Sequence, residues 1–308
     1  MRKNQNITVL GYGSQGRAIA LNLNDSGFKV TVGLRPRSKS RTRIKKDKLR
    51  AMSILSASID ADCIIVALPD HVHKDILTYG FFNFLRKKPA LVFLHGSSIH
   101  FKQIVPPKNY PIYLLAPHAP GLAVRDNYLN KIPYSAFIAV HQGGKQKGFE
   151  NLTRLAKAIG IPKTHLVKTT FAVEAVGDLF GEQAVLCGGL ARLLKLGFET
   201  LVENGIPAQN AYLEVAYQID LLVELTKKYG LEGMLNRISP IARFGSITNG
   251  PKVIDKSVKK QMKKLFAEIK SGEFLKTAGR KRLSYTKKQL SEVTNKQFDQ
   301  QAKKISKF

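Results

Sequence analysis

The 308-residue chain has no tryptophan, two cysteines and four methionines, and it sets only 22 acidic residues against 50 lysines and arginines. Each scarcity excludes something. Cys63 and Cys187 both lie in apolar runs. They match neither a disulfide framework nor a metal-ligand spacing, and they fit a reducing, cytoplasmic setting. No apolar run approaches the ~18 residues of a membrane span. The start, "MRKNQNITVLGYGSQG", loses its apolar run to glycines after four residues, so neither a signal peptide nor a membrane anchor is expected. There is no internal repeat.

The shortage of acids leaves a net charge of +28. The segment from Lys276 onward contributes +8 and the remainder +20, so the excess is global rather than confined to a tail. Such a field favours anionic ligands and gives non-specific attraction to nucleic acid. No helix-turn-helix, zinc-finger or aromatic RNA-binding signature accompanies it, and no specific nucleic-acid partner is expected. What is present in quantity is apolar: a 44% hydrophobic fraction and a length of about two domains at roughly 150 residues each.

The first half alternates strand and helix. "NITVLGYG", "KVTVGLR", "ADCIIVALP", "ALVFLHG", "PIYLLAP" and "SAFIAVHQ" are nearly continuous apolar strands. Such strands separated by helical periods predict an α/β domain with a parallel sheet covered on both faces. From about Thr169 the strand pattern stops and long helical periods take over: Asp178 to Asn204, Ala208 to Tyr229 and Val253 to Lys270. The expected division is 1–168, 169–275 and a basic, poorly amphipathic tail, 276–308, partly disordered.

"GYGSQG" places Gly11, Gly13 and Gly16 between the first strand and a helix. That is the spacing of a Rossmann-type dinucleotide turn: a tight bend, a close approach for a pyrophosphate, and close helix–strand packing at a helix N-terminus. After the second strand, where NAD enzymes carry an acid for the ribose 2′-hydroxyl, this chain has "GLRPRSKSRTR". Arg35, Arg37, Ser38, Ser40 and Arg41 suit a 2′-phosphate, hence NADPH, and no acid follows until Asp47.

"GDLFGEQAVLCGGLARLLKLGFETLVENG" poses the sharpest question. Leu179, Phe180, Ala184, Val185, Leu186, Leu190, Leu193 and Leu194 predict a buried helix, with Cys187 buried among them. Yet Asp178 and Glu182 share one face of it four residues apart. Like charges there repel, and burying one unpaired is costly. Together with "GYGSQG", "NLNDSG", "VGLRPRSKS", "ALPD", "FLHGSSIHF", "APHAPGLAVR", "TTF", "GFETLVENG" and "AYLE", this stretch resembles the short-form ketol-acid reductoisomerases, in order from about residue 6 to 274.

The resemblance implies much that spacing alone does not. It implies magnesium ions on Asp178, Glu182 and Glu214, whose positive charge removes the repulsion. It implies NADPH contacts at Tyr12, Ser14, Gln15, Pro69, Asp70 and Gly121 beside the glycines, Arg35, Ser38 and Ser40. His95 matches the family's active-site histidine by the nicotinamide, and Ser239 its substrate-contacting serine. A knotted, dimerising, all-α C-terminal domain is implied, with Glu214 reaching the metals from the partner subunit, in a homodimer or higher oligomer. The family activity is alkyl migration in a small acetohydroxy acid followed by reduction with NADPH, in valine and isoleucine synthesis.

Several family positions differ. His118 stands for a lysine beside the metals, Gln218 for a fourth carboxylate ligand, Arg243 for an acid, Arg17 for a histidine and Ser97 for a phenylalanine. His118 and Gln218 remove charge near the metals, which keeps two alternatives open: a reductase of other 2-keto acids without efficient migration, or a catalytically silent nucleotide-binding protein. His100 reads as structural, and His71 and His73 as a solvated loop.

Overall fold

The computed structural model describes residues 4–281 and 283–306. The chain divides into two compact units, Met1–Gly177 and Asp178–Phe308.

The first unit is built on eight strands: β1 (Asn6–Leu10), β2 (Lys29–Leu34), β3 (Arg50–Ser53), β4 (Cys63–Val66), β5 (Ala90–Phe93), β6 (Ile112–Pro117), β7 (Ala136–Gln142) and β8 (Leu166–Lys168). Their spatial order is β3-β2-β1-β4-β5-β6-β7-β8. The first six in that series run parallel, with the strand order reversing between β1 and β4. Ligands bind at such a switch point, outside the carboxyl ends of the strands. β7 is antiparallel to β6, and β8 parallel to β7, so the sheet is mostly rather than wholly parallel.

The apolar runs have a simple cause. Along β4, Cys63 and Ile65 face one core and Ile64 and Val66 the other, and all four are buried. A strand covered on both faces needs no polar alternation. The edge strands β3 and β8 escape the sequence pattern because their residues are largely half-buried or exposed.

The second unit is helical, and among the described residues no helix is long and apolar enough to cross a membrane. Its principal helices are Gly188–Glu203, Ile219–Leu235, Pro240–Val253 and Lys256–Lys270. Pro240–Val253, whose apolar periodicity is weak, starts with Ser239 as N-cap and Pro240 in its first turn. The expected burial of the Asp178–Asn204 stretch does not hold within one chain. Val185 and Leu186 are 50% and 66% exposed, and Cys187 is exposed too.

The basic tail differs from its reading as partly disordered. It carries helices Lys287–Ser291 and Lys296–Ile305, while 282 and 307–308 lie outside the described residues. Thr286 and Gln289 form a capping box, Asn295 caps the second helix, and one aromatic anchors it. Phe298 packs edge-on against Phe198 and Tyr212, at 5.4 and 5.0 Å between centroids. Asn295 donates to Glu199 Oε1 at 2.8 Å beside it. Composition underrates such a segment, because caps and a single aromatic contact suffice to order it.

Candidate functional site

β1 is followed by Gly11, whose φ of +93° belongs to the left-handed region. A Cβ there would lie 2.7 Å from the Ala67 carbonyl oxygen, so only glycine lets the chain turn against β4's end. Helix α1 (Ser14–Asp25) starts two residues after Tyr12, with Gly13 as its N-cap. Nothing lies within 4 Å of a Cβ on Gly13. That open space belongs to a cavity of about 470 Å³, lined by Gly11, Tyr12, Gly13, Ser14, Gln15, Arg35, Ser38, Ser40, Pro69, Asp70 and His95 among others. The carboxyl ends of β1, β2, β4 and β5 all open into it. Gly16 and Gly121 do not line it. Gly121 sits where a Cβ would fall 2.3 Å from the Ser14 carbonyl carbon, and nearby Gln15 Nε2 donates to the Ala119 carbonyl at 2.7 Å. Gly121 therefore sets how closely its helix packs on the start of α1.

At the β4–β5 end of the cavity, His95 Nδ1 donates to Asp70 Oδ2 at 2.9 Å, and Ser97 Oγ donates to the same oxygen at 2.5 Å. Burial pushes the Asp70 carboxyl up, but the hydrogen bond and charge of His95 and the bond from Ser97 outweigh it, and the net shift is downward. Asp70 thus stays ionised and fixes the tautomer and orientation of His95. Beneath it, the backbone N–H of Gly96 donates to Glu174 Oε2 at 2.6 Å. Glu174 is buried, on helix Phe171–Gly181.

His73 corrects the solvated-loop reading. It is 2% exposed, with Nε2 donating to the Leu68 carbonyl at 2.9 Å and Nδ1 2.7 Å from Ser98 Oγ. Burial lowers its pKa, so the neutral ring is favoured. His71 is exposed, as expected, and His100 packs edge-on against Phe101.

Tyr12, which lines the cavity, belongs to a cluster whose other members lie outside that lining. Arg17 grips Asp47 with two bonds, Nε to Oδ2 at 2.7 Å and Nη2 to Oδ1 at 2.8 Å, and Tyr12 Oη donates to Oδ2 at 2.7 Å. The Arg17 bonds hold the Asp47 carboxyl below its usual range.

Helix Phe171–Gly181, which runs from the first unit into the second, passes at Glu182 into a π-turn, Glu182–Leu186, before Gly188–Glu203 resumes. Cys187 N donates five residues back to the Glu182 carbonyl at 2.9 Å. A second π-turn, Leu213–Tyr217, follows helix Ala208–Tyr212 and contains Glu214. One-turn π-bulges cluster at functional sites, and here each carries a candidate metal ligand. Gln218 Nε2 lies 3.4 Å from Glu214 Oε2, and both residues are exposed. Among the described residues of one chain, no three His, Cys, Asp or Glu side chains gather in metal-holding geometry. The donors offered, carboxylate and amide oxygens, suit a hard divalent cation.

A model of the acetohydroxy acid isomeroreductase NADPH-binding domain matches residues 1–164, and one of the ketol-acid reductoisomerase C-terminal domain matches residues 171–307. The chain belongs to the ketol-acid reductoisomerase family. It is 44% identical over 274 residues to the ketol-acid reductoisomerase (NADP(+)) of Petrotoga mobilis, covering 89% of this chain and 83% of that one. The corresponding protein of Caldivirga maquilingensis is 41% identical over 303 residues, covering 96% and 91%. A solved structure described as an NADH-preferring ketol-acid reductoisomerase from an uncultured archean superposes with a TM-score of 0.91 at 33% identity, covering 99% of this chain and 94% of that one. A putative oxidoreductase from Jannaschia sp., at 15% identity and a TM-score of 0.66, shares the fold alone.

Against that family, the departures have distinct surroundings. Ser97 joins the Asp70–His95 pair, with Oγ 3.0 Å from His95 Nδ1. Exposed His118 lies with Nδ1 2.9 Å from Ser135 Oγ, its ring edge-on to Phe137 at 4.3 Å. Ser239, which the family pattern keeps, accepts from Ala242 N at 3.3 Å as a helix cap. Sequence reasoning gave neither Asp47 nor Glu174 a role in the site. The first looks like the end of a basic helix, and the second is one acid in "FAVEAVG". The single available clue was an acid inside an otherwise apolar run.

Proposed function

We propose that the protein is a magnesium-dependent ketol-acid reductoisomerase that uses NADPH: alkyl migration in a 2-acetohydroxy acid, then reduction of the resulting ketone, in branched-chain amino-acid synthesis. The observation that carries this is the cavity over β1, β2, β4 and β5, with a glycine cradle at one helix N-terminus and a basic, hydroxylated rim. The first turn of α1 and Gly13 hold the pyrophosphate. Arg35, Ser38 and Ser40 hold the 2′-phosphate. The NADH preference named for one structural relative makes that rim, not the fold, the deciding feature. NADPH supplies the hydride and magnesium polarises the substrate oxygens when bound.

Asp178, Glu182 and Glu214 supply charged oxygens for the metals and Gln218 a neutral one. His95, oriented by Asp70, positions substrate and nicotinamide, while His118 and Ser239 contact substrate. The working form is a homodimer in which Glu214 acts in the partner's site. Supporting it is the unusually apolar surface of the second unit, including Leu193, Leu196, Leu221, Leu222 and Leu231, each at least 43% exposed. Two free cysteines fit a cytoplasmic setting.

The test follows NADPH oxidation with 2-acetolactate and, in parallel, with the isomerised 2-keto acid, with and without magnesium. Magnesium-dependent turnover of both is expected. Reduction of the ready-made keto acid alone would replace this reading with that of a reductase lacking migration.

A further inference from the structure

Asp47 is the single acid between Ser26 and Ile59, in a stretch with ten lysines and arginines. It sits just past the C-terminus of helix α2 (Ser40–Lys46), where the helix dipole disfavours a negative charge. Its side chain is 13% exposed. Ser40, the first residue of that helix, lines the cavity together with Arg35, Ser38 and Tyr12. Seven residues of helix span about 10 Å, and that is about one Debye length at 0.1 M salt. An ionised Asp47 left alone would therefore act on any phosphate held at the rim.

We propose that Arg17 is a positioning residue for cofactor choice: by neutralising Asp47 and holding it against Tyr12, it preserves the positive rim that distinguishes a 2′-phosphate from a 2′-hydroxyl. The proposal rests on the NADPH reading above. Three observations carry it. The Arg17–Asp47 contact is bidentate, which fixes direction as well as charge. Tyr12, a wall of the cavity, donates to the same carboxylate oxygen, so loss of Arg17 disturbs the wall as well as the charge. Lastly, Arg17 lies outside the loop after β2, in the first helical turn after the glycine motif. Cofactor choice is thus shared between helix α1 and the loop after β2.

The experiment measures NADPH and NADH dissociation constants by nucleotide fluorescence, without substrate, at low and moderate salt. The Arg17→Gln variant should lower the preference for NADPH about three- to tenfold, the size expected of one uncompensated charge at that range. The loss should shrink as salt rises. Asp47→Asn should keep or raise the preference, and the double variant should restore it. A purely structural staple predicts otherwise: Arg17→Gln would weaken both nucleotides alike, and the double variant would not recover. Either of those results overturns the proposal, as does a lowered preference in Asp47→Asn alone. Should Arg17→Gln fold poorly, Arg17→Lys, which keeps the charge but not the fork, should hold most of the preference. Equal affinity of the native protein for both nucleotides would overturn the NADPH reading instead.

Discussion

The two units solve the burial problem differently. In Met1–Gly177, apolar residues of the sheet disappear into two cores, and Ile7, Val9, Leu10, Ile64, Leu91 and Phe93 are at most 1% exposed. In Asp178–Phe308, the buried apolar side chains among the described residues are few: Phe198, Ala211, Ile269 and Ile305. Large side chains such as Leu231, Ile241 and Phe244 stay 66–78% exposed. A doubly covered sheet closes on itself, whereas rods with apolar residues on more than one side need a further surface. The first unit therefore looks finished as one chain, and the second as one half of something.

The variant with the largest expected effect tests that contrast directly. Leu222→Asp combined with Leu231→Asp should convert the proposed dimer to monomer and remove activity, read by analytical ultracentrifugation and the NADPH assay. Val105→Asp, at a side chain 77% exposed in the first unit, should change stability by about 0.5 kcal/mol or less. A native monomer with full activity would dissolve the distinction.

Next in size is deletion of Ala184. Removing one residue from Glu182–Leu186 allows a regular α-helix, since a π-bulge is one extra residue in the helical path. Glu182 would then lose its place relative to Gly188 onward. A loss of magnesium-dependent turnover of at least about a hundredfold is expected, in the range of active-site misplacement, with NADPH affinity unchanged in a fluorescence titration.

In the first unit, Gly11→Ala meets both a φ of +93° and the Ala67 oxygen at 2.7 Å. A stability cost of about 1–3 kcal/mol is expected, measured by thermal denaturation, together with loss of the stabilisation that added NADPH gives. Unaltered NADPH binding would show that the turn is not the cradle.

The smallest effect concerns His73. Its folded pKa is depressed by burial against the pull of Asp70, with His95 and His71 also acting on it. Between the folded value and the unfolded ~6.5 the unfolded chain binds more protons, so stability is greatest above pH 6.5 and falls as pH drops below it. The melting temperature should decline from pH 7 to pH 5, and His73→Gln should flatten that slope. An unchanged slope would place the acid sensitivity elsewhere.

Particular residues show what was legible. The glycines, the strands that cross the middle of the sheet and the acid-free loop after β2 could be read directly, because each is a local demand: a turn, a two-sided burial, a phosphate-sized charge. His73 was misread because a histidine between "PD" and a polar run gives no sign that Leu68 and Ser98 will close over it. Cys187 was misplaced for the opposite reason, since an apolar run specifies that a face will be covered but not whether the same chain covers it.

The sequence by itself determined the α/β sheet, the dinucleotide turn and the helical second half. All of these are set by periodicity, short-range backbone geometry or an uninterrupted motif. Only the tertiary structure decided that Asp47 is held by Arg17 and Tyr12, that Asp70 steadies His95, that Glu174 supports Gly96, and that Glu182 and Glu214 sit in π-turns. The hydrogen bonds that side chains make here join residues two to 78 positions apart, the longest from the Gly96 backbone, and their strength depends on burial and direction that no linear spacing carries. The π-turns are local, but one extra residue in a helix leaves the apolar pattern on either side nearly intact, and only the backbone shows the slip.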